Sequence, residues 1–224
     1  MTEPAQSWPA KVWNSTSHSE RHGLENEVND SGDDQGARRA QVHLLFSGYN
    51  SGERTASTVG FVLDGDHRVV IDPGMVPETR AIIDPLAELG FSPGDVTDVV
   101  LSHHHPDHAV NAGLFPNARV HDHWAYYQGD LWVDRPAEGF RLSPSVNLIE
   151  TPGHTPQDIT TLVAVPDGLV AFTHLWWDAG GPPEDPHATD PASLHRGRER
   201  VLRLATLIVP GHGPSFVPGP GTPR

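Results

Sequence analysis

The segment DVVLSHHHPDHAVNAGLFP, Asp98–Pro116, crowds four histidines and an aspartate into residues 103–108. In an extended stretch successive side chains alternate, so His103 and His105 point one way and His104 the other. Pro106 suits the first turn of a helix, and a helix begun there returns Asp107 and His108 to the side of His103 and His105. Three imidazoles and a carboxylate then converge in one strand-to-helix turn, in the pattern H-x-H-x-D-H. Nitrogen and oxygen donors of this kind suit zinc, with iron or manganese as alternatives. His104 reads as a neighbour rather than a ligand. The bland alternative is a chance histidine-rich loop or a tag remnant, but the cluster lies mid-chain behind the apolar run Val99-Val100-Leu101.

Four donors on one turn cannot all complete a single tetrahedral ion, so partners are expected from elsewhere. His154 in IETPGHTPQD and His212 in LIVPGHGPSF both stand beside Gly and Pro at the ends of apolar runs. Glycine lets the backbone turn sharply and present the ring. Either histidine alone would read as a solvated loop residue. Three histidine-bearing loops after three apolar runs argue for a shared centre.

The elements that must position these residues are short. Strands are expected over Gln41–Phe46, Thr58–Leu63, Arg68–Ile71, Thr97–Ser102, Ala118–His121, Ser145–Glu150, Thr160–Val165, Leu169–Thr173 and Leu207–Val209. VPETRAIIDPLAELG carries a helical apolar spacing, with Pro85 expected to bend it or split off its first turn. A second helix is expected from Pro106 to about Leu114. A third starts with Asp190 as N-cap and Pro191 at N1. Arg196, Arg198, Arg200 and Arg203 read as its solvated face, and His121 and His123 as strand-end surface residues. The order points to an α/β protein with two sheets and helices packed outside them.

The chain has 224 residues, a formal net charge of −14 and no cysteine. That charge disfavours nucleic acid and anionic membrane as partners, and the lack of cysteine removes disulfides and thiolate metal sites. No secretory signal pattern and no long apolar run is present, so a cytoplasmic protein without a membrane span is expected. Residues 1–40 are polar and aperiodic and read as a disordered leader. Residues 41–217 form the expected domain, and 218–224 a flexible tail. The sequence leaves the oligomeric state open.

H-x-H-x-D-H, followed by TPGHT and VPGHG, resembles the metallo-β-lactamase-fold hydrolase superfamily. DHAVNAGLFP and VPGHGPSF are similar in particular to its metallo-β-lactamase domain-containing and glyoxalase II-like subgroup. The resemblance covers about residues 41–217 and implies an αββα four-layer sandwich with a metal site at one edge. It implies that His103, His105 and His154 hold one metal, and that Asp107, His108 and His212 hold a second. Zinc is the expected cofactor, two ions in all. Asp72 in VVIDPG matches the superfamily's early Asp-x-Gly element and is expected to orient ligand imidazoles.

The superfamily's bridging aspartate is replaced here by His174, in GLVAFTHLWWD. A neutral imidazole offers one lone pair and cannot bridge two ions as a carboxylate does. His174 is therefore expected to ligate a single metal, with Asp178 reaching in or a weak second site as the alternatives. A metal-activated water would attack an ester, thioester, lactone or phosphodiester centre, with Asp107 as the catalytic proton acceptor. Trp176 and Trp177 are expected to wall a substrate pocket for a small molecule. Competing readings are a ribonuclease or phosphodiesterase, and a non-catalytic metal-binding descendant of the fold.

Overall fold

A computed structural model describes residues 40–224; the expected leader, up to residue 39, lies outside the described residues. The seven-stranded sheet has the order β1 (Gln41–Phe46), β4 (Val59–Asp64), β5 (His67–Ile71), β6 (Asp98–Val100), β7 (Arg119–His121), β8 (Ala125–Gln128) and β9 (Leu131–Asp134). The four-stranded sheet is β10 (Val146–Glu150), β11 (Ile159–Val165), β12 (Gly168–Thr173) and β13 (Leu207–Pro210), in chain order. A separate hairpin pairs β2 (Tyr49–Ser51) with β3 (Arg54–Ala56).

Alternation along the strands builds three apolar layers. Val62, Val69, Ile71 and Val100 meet Leu148, Val163, Phe172 and Val209 between the two sheets. Phe61, Val70 and Val99 face the other way, onto Ile82 and Leu86 of α1 (Arg80–Glu88). Leu162, Ala171 and Ile208 face outward onto Leu194 and Val201 of α3 (Pro191–Leu202). Strands buried on both faces need a helix layer on each side, and the result is the αββα sandwich.

Most elements lie where the sequence places them, within a residue or two. Helix α1 runs through Pro85 without losing its first turn. The helix from Pro106 is one short turn, α2 (Pro106–Ala109), followed by a separate 3-10 turn at Ala112–Leu114. The N-cap of α3 is as expected, Asp190 accepting from the Ser193 N–H at 3.0 Å. Within the segment 218–224 the Pro223 carbonyl accepts from Trp176 Nε1 at 2.8 Å. Ala40, read as the end of the leader, is buried with the inter-sheet core. No helix among the described residues is long and apolar enough to cross a membrane.

Candidate metal centre

The parallel strands β5 and β6 end side by side, and the loops after them carry the first donors. Asp72 follows β5 with a φ of 51°, a left-handed conformation uncommon for a residue with a side chain. Its Oδ1 accepts from the Ser102 N–H at 2.6 Å, and its Oδ2 faces His108 Nδ1 at 3.0 Å. A carboxylate only accepts, so His108 donates from Nδ1 and turns Nε2 inward, where it is buried without a hydrogen-bond partner. Gly74 lets this loop lie against α2, since a Cβ there would overlap the Asp107 carbonyl.

His103 Nε2 and His154 Nε2 lie 3.0 and 3.1 Å from His105 Nδ1. His154 already donates from Nδ1 to Asp185 Oδ2 at 2.8 Å, which leaves a lone pair at its Nε2. Three ring nitrogens converge there, His154 Nε2 with a lone pair, a geometry that suits a cation. On the other side, Asp107 Oδ2 lies 3.5 Å from both His108 Nε2 and His212 Nε2. His212 Nδ1 faces the Ala56 carbonyl at 3.0 Å, so its inward nitrogen also carries a lone pair. Within each set, His103/His105/His154 and Asp107/His108/His212, the donor atoms lie within 4.8 Å of one another. The residues fit two adjacent metal ions.

Electrostatics agree with that chemistry. Burial, reinforced by neighbouring imidazoles, holds His103 and His174 well below the ordinary histidine value. His105 and His212 are lowered for the same reasons. The neutral form, which can ligate a metal, is thus favoured for these four rings. For His108 burial acts downward too, but Asp72 and Asp107 outweigh it and raise its pKa.

His174 is buried between the two sets, its ring 4.2 Å from that of His154 and 4.7 Å from that of His108. Its Nε2 lies 3.1 Å from His212 Nε2, and its Nδ1 is buried without a partner. Asp178 does not reach in: its Oδ1 accepts from the Gly180 N–H at 2.7 Å and caps its own turn. His104, as expected, turns away and meets Asp122 Oδ2 at 3.0 Å.

Three expectations are corrected. Trp176 does not wall a pocket; it is fully buried under α3 against Phe216. Adjacent residues at a strand end face opposite sides, and Trp177 is the one that lines the cavity. His121 is not a surface residue but is buried, its Nε2 3.0 Å from Asp98 Oδ1. Arg198 is likewise buried rather than part of a solvated helix face.

A cavity of about 270 Å³ opens onto the centre, bounded by Asn50, Glu53 and Thr55 of the β2–β3 hairpin and by Trp177 and His187 opposite. The rings of Trp177 and His187 stack at 5.6 Å and 11°. Asp185, missed in the sequence, organises this wall: besides His154, its Oδ2 accepts from Trp177 Nε1 at 3.3 Å and its Oδ1 from the His187 N–H at 2.9 Å. The only signal for it was a carboxylate beside histidine in PPEDPH, close to the tryptophans.

The sequence model of the metallo-beta-lactamase superfamily matches residues 52–222. Metallo-beta-lactamase domain-containing protein 1 of Homo sapiens is 37% identical over 159 residues, covering 66% of this chain and 59% of the relative. An N-acyl homoserine lactonase of Bacillus cereus is 30% identical over 116 residues, covering 45% of this chain and 46% of its own. A metallo-beta-lactamase-type structure from Thermotoga maritima superposes with a TM-score of 0.64 at 23% identity, covering 80% of this chain and 100% of that one. With the four layers, the histidine loops and the family match in agreement, the chain belongs to the metallo-beta-lactamase superfamily.

Proposed function

We propose that this protein is a metal-dependent hydrolase acting on a small or medium-sized ester, thioester, lactone or phosphodiester. The observation that carries the reading is the pair of donor sets beside a cavity, in which the outward nitrogens of His108, His154 and His212 are tied to acceptors and their other nitrogens turn inward. The superfamily membership and the lactonase relative support a hydrolytic role. His103, His105 and His154 would hold one ion, and Asp107, His108 and His212 a second, with His174 as a further ligand to one of them. Zinc is the first expectation, with iron or manganese as alternatives on the same donors. Such an ion supplies Lewis acidity and lowers the pKa of water to about 7.

The protein's own residues do the rest. Asp107 lines the cavity, as Glu53 does, and beside the histidine donors it would accept a proton there. Asp72 and Asp185 fix the tautomers of His108 and His154, and the Trp177–His187 stack offers a flat wall to an apolar acyl or ring group. A nuclease reading is disfavoured by the net charge of −14.

The test is elemental analysis of tag-free protein, paired with a hydrolysis screen over thioester, lactone and phosphodiester probes. Stoichiometric zinc is expected, with His103→Ala and His154→Ala stripping most of it and abolishing turnover. Protein that stays metal-free after reconstitution overturns the metal centre. Metal without turnover of any probe class would instead favour the non-catalytic descendant.

A further inference from the structure

Of the four arginines along and just after α3, only Arg198 is buried. Its guanidinium donates from Nε to the Leu175 carbonyl at 2.7 Å, from Nη1 to Pro183 at 2.7 Å and from Nη2 to Pro182 at 2.8 Å. All three bonds go to backbone carbonyls. A buried cation is costly to desolvate, and an apolar side chain of similar volume would fill the space without that cost. What the cation does is fix both ends of one loop, the loop that presents Trp177 and leads into Asp185.

We infer that Arg198 is a positioning residue for the metal centre. By pinning the carbonyls of residues 175, 182 and 183 it sets the Asp185 carboxylate against His154 Nδ1 and Trp177 Nε1. It thereby governs both metal affinity at the His103/His105/His154 site and the placement of the Trp177–His187 wall. The inference rests on the metal-centre reading above. The alternative is that Arg198 only fastens α3 to the sandwich.

Zinc affinity of the full chain, read by competition with a chelator, separates the two. Arg198→Lys keeps the charge but cannot span three carbonyls, and Arg198→Met keeps the volume alone. Each is expected to weaken zinc binding by about tenfold to hundredfold, as is Asp185→Asn. Because Arg198 acts through Asp185, the double variant Arg198→Lys/Asp185→Asn is expected to bind no more weakly than Asp185→Asn alone. Wild-type zinc affinity in folded Arg198 variants, or fully additive losses in the double variant, overturns the inference. So does failure of both Arg198 variants to fold, which makes the role purely structural. Wild-type protein that takes up no zinc overturns the metal centre itself, before any variant is made.

Discussion

His174 stands where the family resemblance implies a bridging aspartate, and its surroundings limit what it can do. The ring is buried among four other imidazoles, and Gly211 makes room for it: a Cβ at 211 would stand 2.5 Å from His174 Cδ2. If His174 ligates one ion, His174→Asp restores a carboxylate that can serve two. Tighter binding of the second ion is then expected, with an undiminished melting temperature in zinc-replete buffer. If it merely packs, the shorter acid leaves a cavity and a buried charge costing on the order of 2 kcal/mol or more. Unaltered zinc stoichiometry with a clearly lower melting temperature would therefore overturn the ligand assignment. At this scale the sequence was most legible for His103, His105, Asp107 and His108, because a strand-to-helix turn converts their spacing directly into convergence. The acceptors behind them were not legible. Asp185 lies 31 residues from His154 and Ala56 lies 156 from His212, so no spacing joins them. Trp176 and Trp177 show the other limit, since composition gives the aromatic pair but not which of two neighbours faces the cavity.

The elements hold the site from its far end through one buried carboxylate. Asp98 begins β6, next to β5 and β7. Its Oδ1 meets Arg119 Nη2 at 2.8 Å and His121 Nε2 at 3.0 Å, while its Oδ2 meets His67 Nδ1 at 3.2 Å and accepts from Thr97 Oγ1 at 2.7 Å. Burial pushes the Asp98 pKa upward, but these hydrogen bonds and Arg119 outweigh it and hold it at about 2. A depressed carboxylate contributes stability that is present above its unfolded value and lost as pH falls through the folded one. The difference between the ordinary 3.8 and about 2 corresponds to on the order of 2 kcal/mol. Asp98→Asn is accordingly expected to lose about that much at pH 7 and to show a shallower decline between pH 4 and pH 2, measured by urea unfolding. An unchanged acid limb would sink the assignment. None of this network was visible in the sequence, where His121 read as a surface residue. The hairpins β2–β3 and β8–β9 were also missed, because these short strands are mostly exposed or half-buried and show no apolar run or alternation. Their turns did carry a signal, with Gly52 and Gly129 at φ of 61° and 60° between paired strands.

For the whole molecule, two sheets with helices outside were legible from the order of the elements, and the four-layer sandwich only through the family resemblance; the burial of VGFVLD and DVV on both faces is the physical reason for that cover. The domain limits were less legible, and they define two truncations. A chain beginning near Arg38 is expected to keep its melting temperature and its metal content, whereas one beginning at Leu44 removes Ala40 from the core and should unfold more readily. A several-degree loss from the first cut would show the leader to be part of the fold. At the other end, low complexity in VPGPGTPR argued for a loose tail, yet one buried donor depends on it. Trp176 lies in the core beneath α3, and its Nε1–H donates to the Pro223 carbonyl. Ending the chain at Val217 leaves that N–H without its acceptor, at a cost of about 1–3 kcal/mol. Trp176→Phe removes the donor as well as the bond, so the same truncation in that background should cost clearly less. Urea midpoints of the four proteins, wild type, truncated, Trp176→Phe and the combination, give the coupling. Equal truncation costs in both backgrounds would mean that the tail stabilises the fold by other contacts, and that the Trp176–Pro223 bond contributes nothing of its own.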